Sequence, residues 1–269
     1  MSGFVHLHTH TQYSLLDGQA SVKKLVDKAI GDGMPGIAIT DHGNMFAIKE
    51  FMNYVGKVNK GRKGEGLTPF KPIIGCEVYV ARRGLDLKSE KVDLGGYHLI
   101  LLAKNFKGYK NLIKIVSKAW TDGFYGRPRT DRAELEKYHE GLICCSACLG
   151  GEIPRLVQDD RLEEAEESVL WHKNLFGEDY YLELQLHKAT VERANHEAYP
   201  MQCKVNEHLV QFARKHNIGL VCTNDVHFVE EKDAEAHDRL ICLSTGKDLD
   251  DPKRMLYSKQ EWMKSTAEM

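Results

Sequence analysis

The 269-residue sequence predicts an α/β fold, a largely parallel sheet closed into a barrel or opened into a doubly wound array. Two observations carry this. Short apolar, β-branched runs recur seven times, at residues 4–10, 36–40, 72–80, 97–104, 141–147, 180–186 and 219–225. Near-continuous runs of this kind suit strands buried on both faces. Amphipathic stretches of helical period lie between several of them, as a strand–helix alternation requires. The length suits one large domain or two small ones, enough to bury a core without staples.

The elements follow in order. In FVHLHTH (4–10), His6, His8 and His10 recur at period two and share one strand face. His8 and His10 lie toward the carboxyl end, while His6 sits deeper and is assigned to the barrel interior. Residues 21–33 form a helix with Ser21 as N-cap, a stripe of Val22, Leu25, Val26, Ala29 and Ile30, and Gly31 or Gly33 as the stop. After the 36–40 run, GKVNKGRKGEGLTP (56–69) reads as a Gly- and Lys-rich surface loop. The 72–80 run leads into a polar loop at 81–96. The helix over 105–120 carries a stripe of Tyr109, Leu112, Ile113, Val116 and Trp120. Further helices are expected over 159–176 and 204–219. From about Thr245 the chain turns polar and ends in a helical pattern without a stop signal. Residues 1–245 therefore read as a barrel domain, and 246–269 as the start of a connection to a further segment.

Net charge is −2, so no global basic field points to nucleic acid or membrane. No apolar run is long enough to span a bilayer, and no targeting segment is visible. Seven scattered cysteines, an odd count without a leader, argue for reduced thiols in a cytoplasmic setting. Cys145-x-x-Cys148 lacks the second pair that a zinc knuckle needs. Cys144, Cys145, Cys76, Cys203, Cys222 and Cys242 are read as core thiols. His139, His172, His196, His208, His216 and His237 are read as surface or satisfied core histidines.

Parallel α/β folds place chemistry at the carboxyl ends of strands. There the sequence sets His8, His10 and Asp17 with the first run, and Asp41-His42 after the second. Glu77 lies on the third, His98 opens the fourth, and Cys148 follows the fifth. The sixth carries Glu183 and ends near His187, and the seventh leads to Asp225 and His227. Imidazole, carboxylate and thiolate together favour zinc-like, borderline ions. His8, His10, Asp17, His42, Glu77, His98, Cys148, Asp225 and His227 are too many for one tetrahedral site. They suit two to three neighbouring divalent ions, Zn²⁺ first by its ligand chemistry, with room for Mn²⁺ or Fe²⁺.

These residues resemble the PHP superfamily, named for polymerase and histidinol phosphatase. The resemblance lies in His8-Thr9-His10-Thr11 with Ser14 and Asp17-Gly18, Asp41-His42, Glu77 in GCEVYV, His98, Cys148 in SACLGGEIP, and Asp225-Val226-His227. The flanking words HTQYSLLDG, AITDHGNMF, KPIIGCEVYV, LIKIVSKAW and GFYGRPR are similar to the N-terminal domains of the bacterial replicative DNA polymerase III alpha-subunit family. The resemblance covers essentially the whole chain. It implies a distorted seven-stranded (β/α) barrel, TIM-barrel-like, with a three-metal cluster. It implies as partners DNA at a single-stranded 3′ primer end, the rest of the alpha chain and other replisome subunits. It places the polymerase carboxylates in a later domain.

On chemistry alone, such a cluster suits a metal-dependent phosphoesterase, and with the resemblance a 3′→5′ proofreading exonuclease. Asp41 would orient a ligand from behind. His187 would contact the scissile phosphate or act as acid toward the leaving group. Arg127, with Arg82, Arg83 and Arg129, would clamp a DNA backbone. Three rival readings remain open. One is a metal-dependent amidohydrolase, disfavoured because the middle strands offer Glu77 and Cys148 where a bridging lysine is usual. Another is a silent structural metal core that docks a separate exonuclease. The third is a pyrophosphatase using the same cluster.

Overall fold

The structure is a computed structural model that describes residues 3–269. Eight α-helices and seven strands are present among these residues. The chain runs α1 (Val22–Gly31), β1 (Gly36–Ile39), α2 (Ile48–Gly64), β2 (Lys71–Val80), β3 (Tyr97–Ala103), α3 (Phe106–Thr121), β4 (Arg129–Thr130) and α4 (Arg132–Tyr138). It continues with β5 (Leu142–Cys145), α5 (Glu152–Gln158), α6 (Leu162–Phe176), β6 (Tyr180–Leu184), α7 (Ala198–His216), β7 (Gly219–Cys222) and α8 (Ala234–Thr245). The strands form one curled sheet in the order β1-β2-β3-β5-β6-β7, with β4 added beside the end of β2. This is the distorted seven-stranded α/β barrel of the sequence reading, with two differences in how it is made.

The sheet is mixed. β3 runs antiparallel to both β2 and β5, whereas β1–β2, β5–β6 and β6–β7 are parallel. An apolar run records burial on both faces but not direction. The connection from β2 to β3 is the irregular 81–96 loop with one 3-10 turn (Lys91–Asp93), so the chain returns beside itself instead of crossing over. The second difference is at the start. Residues 4–10 are extended but form no ladder of their own. Ala38 N donates to His6 O (2.9 Å) and Thr40 N to Thr9 O (2.9 Å), while His10 N donates to Val226 O (2.7 Å) and Val226 N to His8 O (3.1 Å). This segment joins the β1 edge of the sheet to the chain just after β7.

The period of two sorts chemistry from packing. On β2, Cys76, Val78 and Val80 face outward into the main apolar core under α3, α5, α6 and α7. Glu77 and Tyr79 alternate with them, inward. On β3, Leu99 and Leu101 join that outer core, and Ile100 and Leu102 meet Ala38, Cys145 and Ala147 in a small core inside the curl. A third core packs α1 and α2 on β1, using the predicted Val22, Leu25, Val26 and Ala29. Ser21 caps α1, accepting from Lys24 N at 3.3 Å.

Other expectations shift. Residues 56–64, read as loop, are the last turns of α2. Ile48, Phe51 and Val55 anchor the helix, and Gly56, Gly61 and Gly64 face open space, each costing about 1 kcal/mol of propensity. The buried stripe of α3 is Leu112, Ile115, Val116 and Ala119, so Ile113 and Trp120 stay exposed. Cys203 and Cys222, read as core thiols, are exposed, and all seven thiols are free. The tail does not end in a helix. It folds back in turns and adds a bridge, with His227 N donating to Glu261 O (2.8 Å) and Met263 N to Phe228 O (3.1 Å). His6, away from the cluster described below, holds this tail through Nε2 and the Lys264 carbonyl (2.8 Å). No helix of the described residues is long and apolar enough to cross a membrane.

Candidate metal centre

His8, His10, Asp17, His42, Glu77, His98, Cys148, Asp225 and His227 meet at one end of the curled sheet. Glu77 is at the centre. Its Oε1 lies 3.3 Å from His8 Nε2 and 2.8 Å from His98 Nδ1. Its Oε2 contacts His42 Nδ1 and lies 3.8 Å from His10 Nε2. Asp225 Oδ1 lies 3.1 Å from His8 Nε2 and 3.2 Å from His10 Nε2. Asp17 Oδ2 joins His42 Nε2 (3.0 Å) to His227 Nε2 (3.7 Å). Cys148 Sγ lies 3.6 Å from His98 Nδ1 and 3.9 Å from Glu77 Oε1. The antiparallel β3 explains why His98 opens its strand: reversing the strand brings its start to the end where the others finish.

The donor atoms are aimed and unsatisfied. His8 Nε2, His10 Nε2, His42 Nδ1, Glu77 Oε2 and Asp225 Oδ1 are buried and face one another at ion-pair distance, with no hydrogen bond to complete them. Leaving that many buried polar atoms unpaired would be costly unless a cation completes them. Three triads have donor atoms within 4.8 Å of one another: His10-His42-His227, His8-His10-Glu77 and His42-Glu77-His98. The shared members favour adjacent ions over one isolated site. His8 and Glu77 are fully buried, but the side chains of Asp17, Asp225, His42 and His98 are 15–25% exposed. The cluster therefore opens to solvent on one side.

The sequence matches the PHP domain family over residues 6–187. The chain belongs to the PHP domain family. It is similar to the DNA polymerase III subunit alpha of Borreliella burgdorferi, 45% identical over 271 residues, which cover 100% of this chain and 22% of that protein. The subunit alpha of Thermus aquaticus is 42% identical over 269 residues, covering 98% of this chain and 20% of its own. The PHP domain thus spans about a fifth of the length of these curated relatives. A solved structure of histidinol phosphate phosphatase from Lactococcus lactis, complexed with zinc, L-histidinol and phosphate, aligns with a TM-score of 0.41 at 13% identity, over 97% of this chain and 98% of that one.

Burial opposes charge throughout the PHP domain's cluster, yet opposite partners prevail. The carboxylates of Asp225 and Glu183 hold His8 well above the ordinary imidazole range despite desolvation. Against the same burial, Glu77 and Tyr79 raise His42, and Asp17 and Asp225 push His227 up to about 9. Reciprocally, His98 and His42 hold Glu77 well below the carboxylate range, and His227 does so for Asp17. The carboxylates and imidazoles of the cluster thus favour one another's charged forms. His10 differs: burial and the neighbouring His42 and His227 charges push it down to about 3, leaving Nε2 a free lone pair. Burial, Asp225 and Glu77 raise the Cys148 thiol, so a thiolate there needs a cation beside it.

Several side chains hold the donors in place. The Asp41 carboxylate is hydrogen-bonded to none of them, though the Asp41 backbone carbonyl accepts from Glu77 N at 3.2 Å. The carboxylate accepts from Thr11 N (2.7 Å) and Ser14 Oγ (2.8 Å), and Ser14 Oγ in turn meets His10 Nδ1 at 2.9 Å. Through Ser14 it is linked to the His10 ring. Glu183, noticed in the sequence but not placed in the site, accepts from His8 Nδ1 (2.6 Å), Gln185 Nε2 (2.9 Å) and Thr223 Oγ1 (2.5 Å). Tyr257 also joins the site. It reaches in from the tail and donates to Asp17 Oδ1 at 2.8 Å. No motif flags it, because it lies 240 residues from its partner. His237, read as a bland histidine, is buried against the cluster, its unpartnered Nε2 4.0 Å from Asp17 Oδ1.

The expected phosphate contacts need correction. His187 is buried and faces away. Its Nε2 donates to the Asn224 carbonyl (3.1 Å), and Nδ1 accepts from Gln202 Nε2 (3.0 Å). Neither nitrogen is left for a substrate. Past Leu184 the chain turns toward α7, and the inward place goes to Glu183. Arg129 is fully buried, donating to the carbonyls of Gly123, Leu87, Asp93 and Leu85. Arg82 serves the carbonyls of Val92 and Leu94, and Arg83 pairs with Asp93 and Glu90. Arg82 and Arg83 thus brace the 81–96 loop internally, and Arg129, on β4, ties that loop to the sheet. Arg127 stays exposed near the mouth, its guanidinium 5.8 Å from the Tyr79 ring centre, and Tyr79 lies 6.1 Å from the His42 ring.

Proposed function

We propose that this PHP domain is a metal-dependent phosphoesterase that removes nucleotides from the 3′ end of single-stranded DNA, the proofreading part of a longer polymerase chain. The observation that carries the reading is the set of buried donor atoms left unpartnered around Glu77, open to solvent along Asp17, His42, His98 and Asp225. The similarity to DNA polymerase III alpha subunits supplies the substrate class.

His8, His10, Asp17, His42, Glu77, His98, Cys148, Asp225 and His227 would hold two to three divalent ions, Zn²⁺ by the mixture of imidazole, carboxylate and thiol. Once bound, such ions supply Lewis acidity for phosphoester hydrolysis at neutral pH. The protein's own groups do the rest. Glu183 and Ser14 fix the rings of His8 and His10 with Nε2 turned inward. The Asp225 carbonyl accepts from His227 Nδ1 (2.7 Å), turning its Nε2 toward Asp17. Arg127 stands at the rim to draw in a phosphodiester.

The test is a 5′-labelled single-stranded oligonucleotide incubated with the metal-loaded chain. Stepwise shortening from the 3′ end is expected. Full-length oligonucleotide, with metal occupancy confirmed, would rule the exonuclease out, and phosphate release from pyrophosphate would assign the site to that substrate instead.

Tyr257→Phe provides a second check. Losing its hydrogen bond frees Asp17 to swing, and metal affinity should weaken by about tenfold or more in competition with a chelating dye. Unchanged affinity would leave Tyr257 a packing residue only.

A further inference from the structure

A surface of exposed aromatic rings borders the mouth of the cluster. Phe46, Trp120 and Phe124 are 55%, 43% and 48% exposed. The Trp120 and Phe124 rings stack at 5.7 Å with 24° between their planes, and Phe46 lies 6.1 Å from Trp120. Trp120 is held from below, its indole N–H donating to the Gly43 carbonyl at 2.8 Å. Gly43 directly follows His42 and has φ +61°. A Cβ at Gly43 would lie 2.6 Å from Pro128 Cγ and 3.2 Å from Tyr79 Cε2. The rings, Gly43, Pro128 and Tyr79 are therefore one packed unit. At its inner end Tyr79 meets His42, and Arg127 lies over Tyr79.

We infer that Trp120 and Phe124, flanked by Phe46, are a stacking platform for the unpaired bases of single-stranded nucleic acid whose phosphate enters the metal centre. The inference rests on the phosphoesterase reading and adds how the substrate is chosen. Every base has a π-face, so stacking on aromatic rings is tolerant of sequence. Arg127, a cation over Tyr79 at the inner edge, matches a backbone phosphate between platform and cluster. An apolar protein segment would have no use for rings that run up to a phosphate-seeking site. A paired duplex cannot offer its base faces, so the platform selects frayed or single-stranded ends.

The experiment measures binding without cleavage. A 5′-fluorescein oligothymidylate is titrated by anisotropy into the chain without added metal, beside the same oligomer with abasic residues at its 3′ end. The Trp120→Ala/Phe124→Ala variant should bind oligothymidylate about tenfold or more weakly than the unmutated chain. The abasic oligomer should bind the unmutated chain equally weakly, and the variant should not distinguish the two. Phe124→Ser alone, at an exposed position, serves if the double variant does not fold. The inference is overturned if both proteins bind both oligomers alike. It is also overturned if the unmutated chain self-associates and the variant does not, since the rings would then be a contact between copies. Because nothing is cleaved, the result stands even if the exonuclease assay fails.

Discussion

Glu77→Gln empties most of the metal centre. A chain loaded with Zn²⁺, dialysed and analysed by mass spectrometry for metal should retain about one ion or none, against the two to three proposed for the unmutated protein. The reason is position. One fully buried carboxylate contacts His8, His10, His42 and His98, and it belongs to two of the three donor triads. Glutamine keeps the shape but removes the negative charge and turns an N–H₂ toward a cation. It also leaves the rings of His42 and His98 without the charge that steadies them, a further cost in a buried site. Undiminished metal content would show that the ions, if bound, do not depend on the centre of the cluster.

Arg129→Met has the largest expected effect on stability, about 3–5 kcal/mol, because four carbonyls, three of them in buried hydrogen bonds, lose their donor at once. For a chain of this size that lowers the melting temperature by roughly 10 °C, which calorimetry would show. The 81–96 loop should become the first site of proteolysis. Arg127→Met, two residues away and exposed, should change stability by less than about 0.5 kcal/mol. Equal effects of the two substitutions would mean that Arg129 does not secure the loop.

The two arginines show where sequence is legible and where it is not. Both stand in one loop-like stretch with the same charge, and only the folded loop reveals that one guanidinium is enclosed by carbonyls. The ligand-type residues were readable because each sits at a fixed offset in or after an apolar run, and alternation puts such residues inside. Strand direction was not readable, since a run such as 97–104 is equally apolar in either sense. His98 joins the cluster although its strand runs antiparallel, against the parallel sheet the apolar run implies. The helical end of α2 was missed because Gly56, Gly61 and Gly64 are punctuation in a local reading, while Phe51 and Val55 decide from the other end. His187 follows the sixth run at a site-like offset, yet the strand has ended and the ring turns to Gln202. Glu183 and Tyr257 act through partners distant in sequence, for which a single chain carries no spacing signal.

Residues 6–10 touch the chain just beyond β7, and the tail then closes over both. Contacts of such long sequence separation form late, since a large loop must close before any of them stabilises it. During synthesis His8 and His10 leave the ribosome long before Asp225, His227 and Tyr257 exist. A nascent chain can assemble the β2–β3 hairpin and its helices early, but it presents incomplete donor sets until the last strand and the tail arrive. Metal added to stalled, truncated nascent chains should therefore be held only weakly, and tight capture should coincide with closure of the ring.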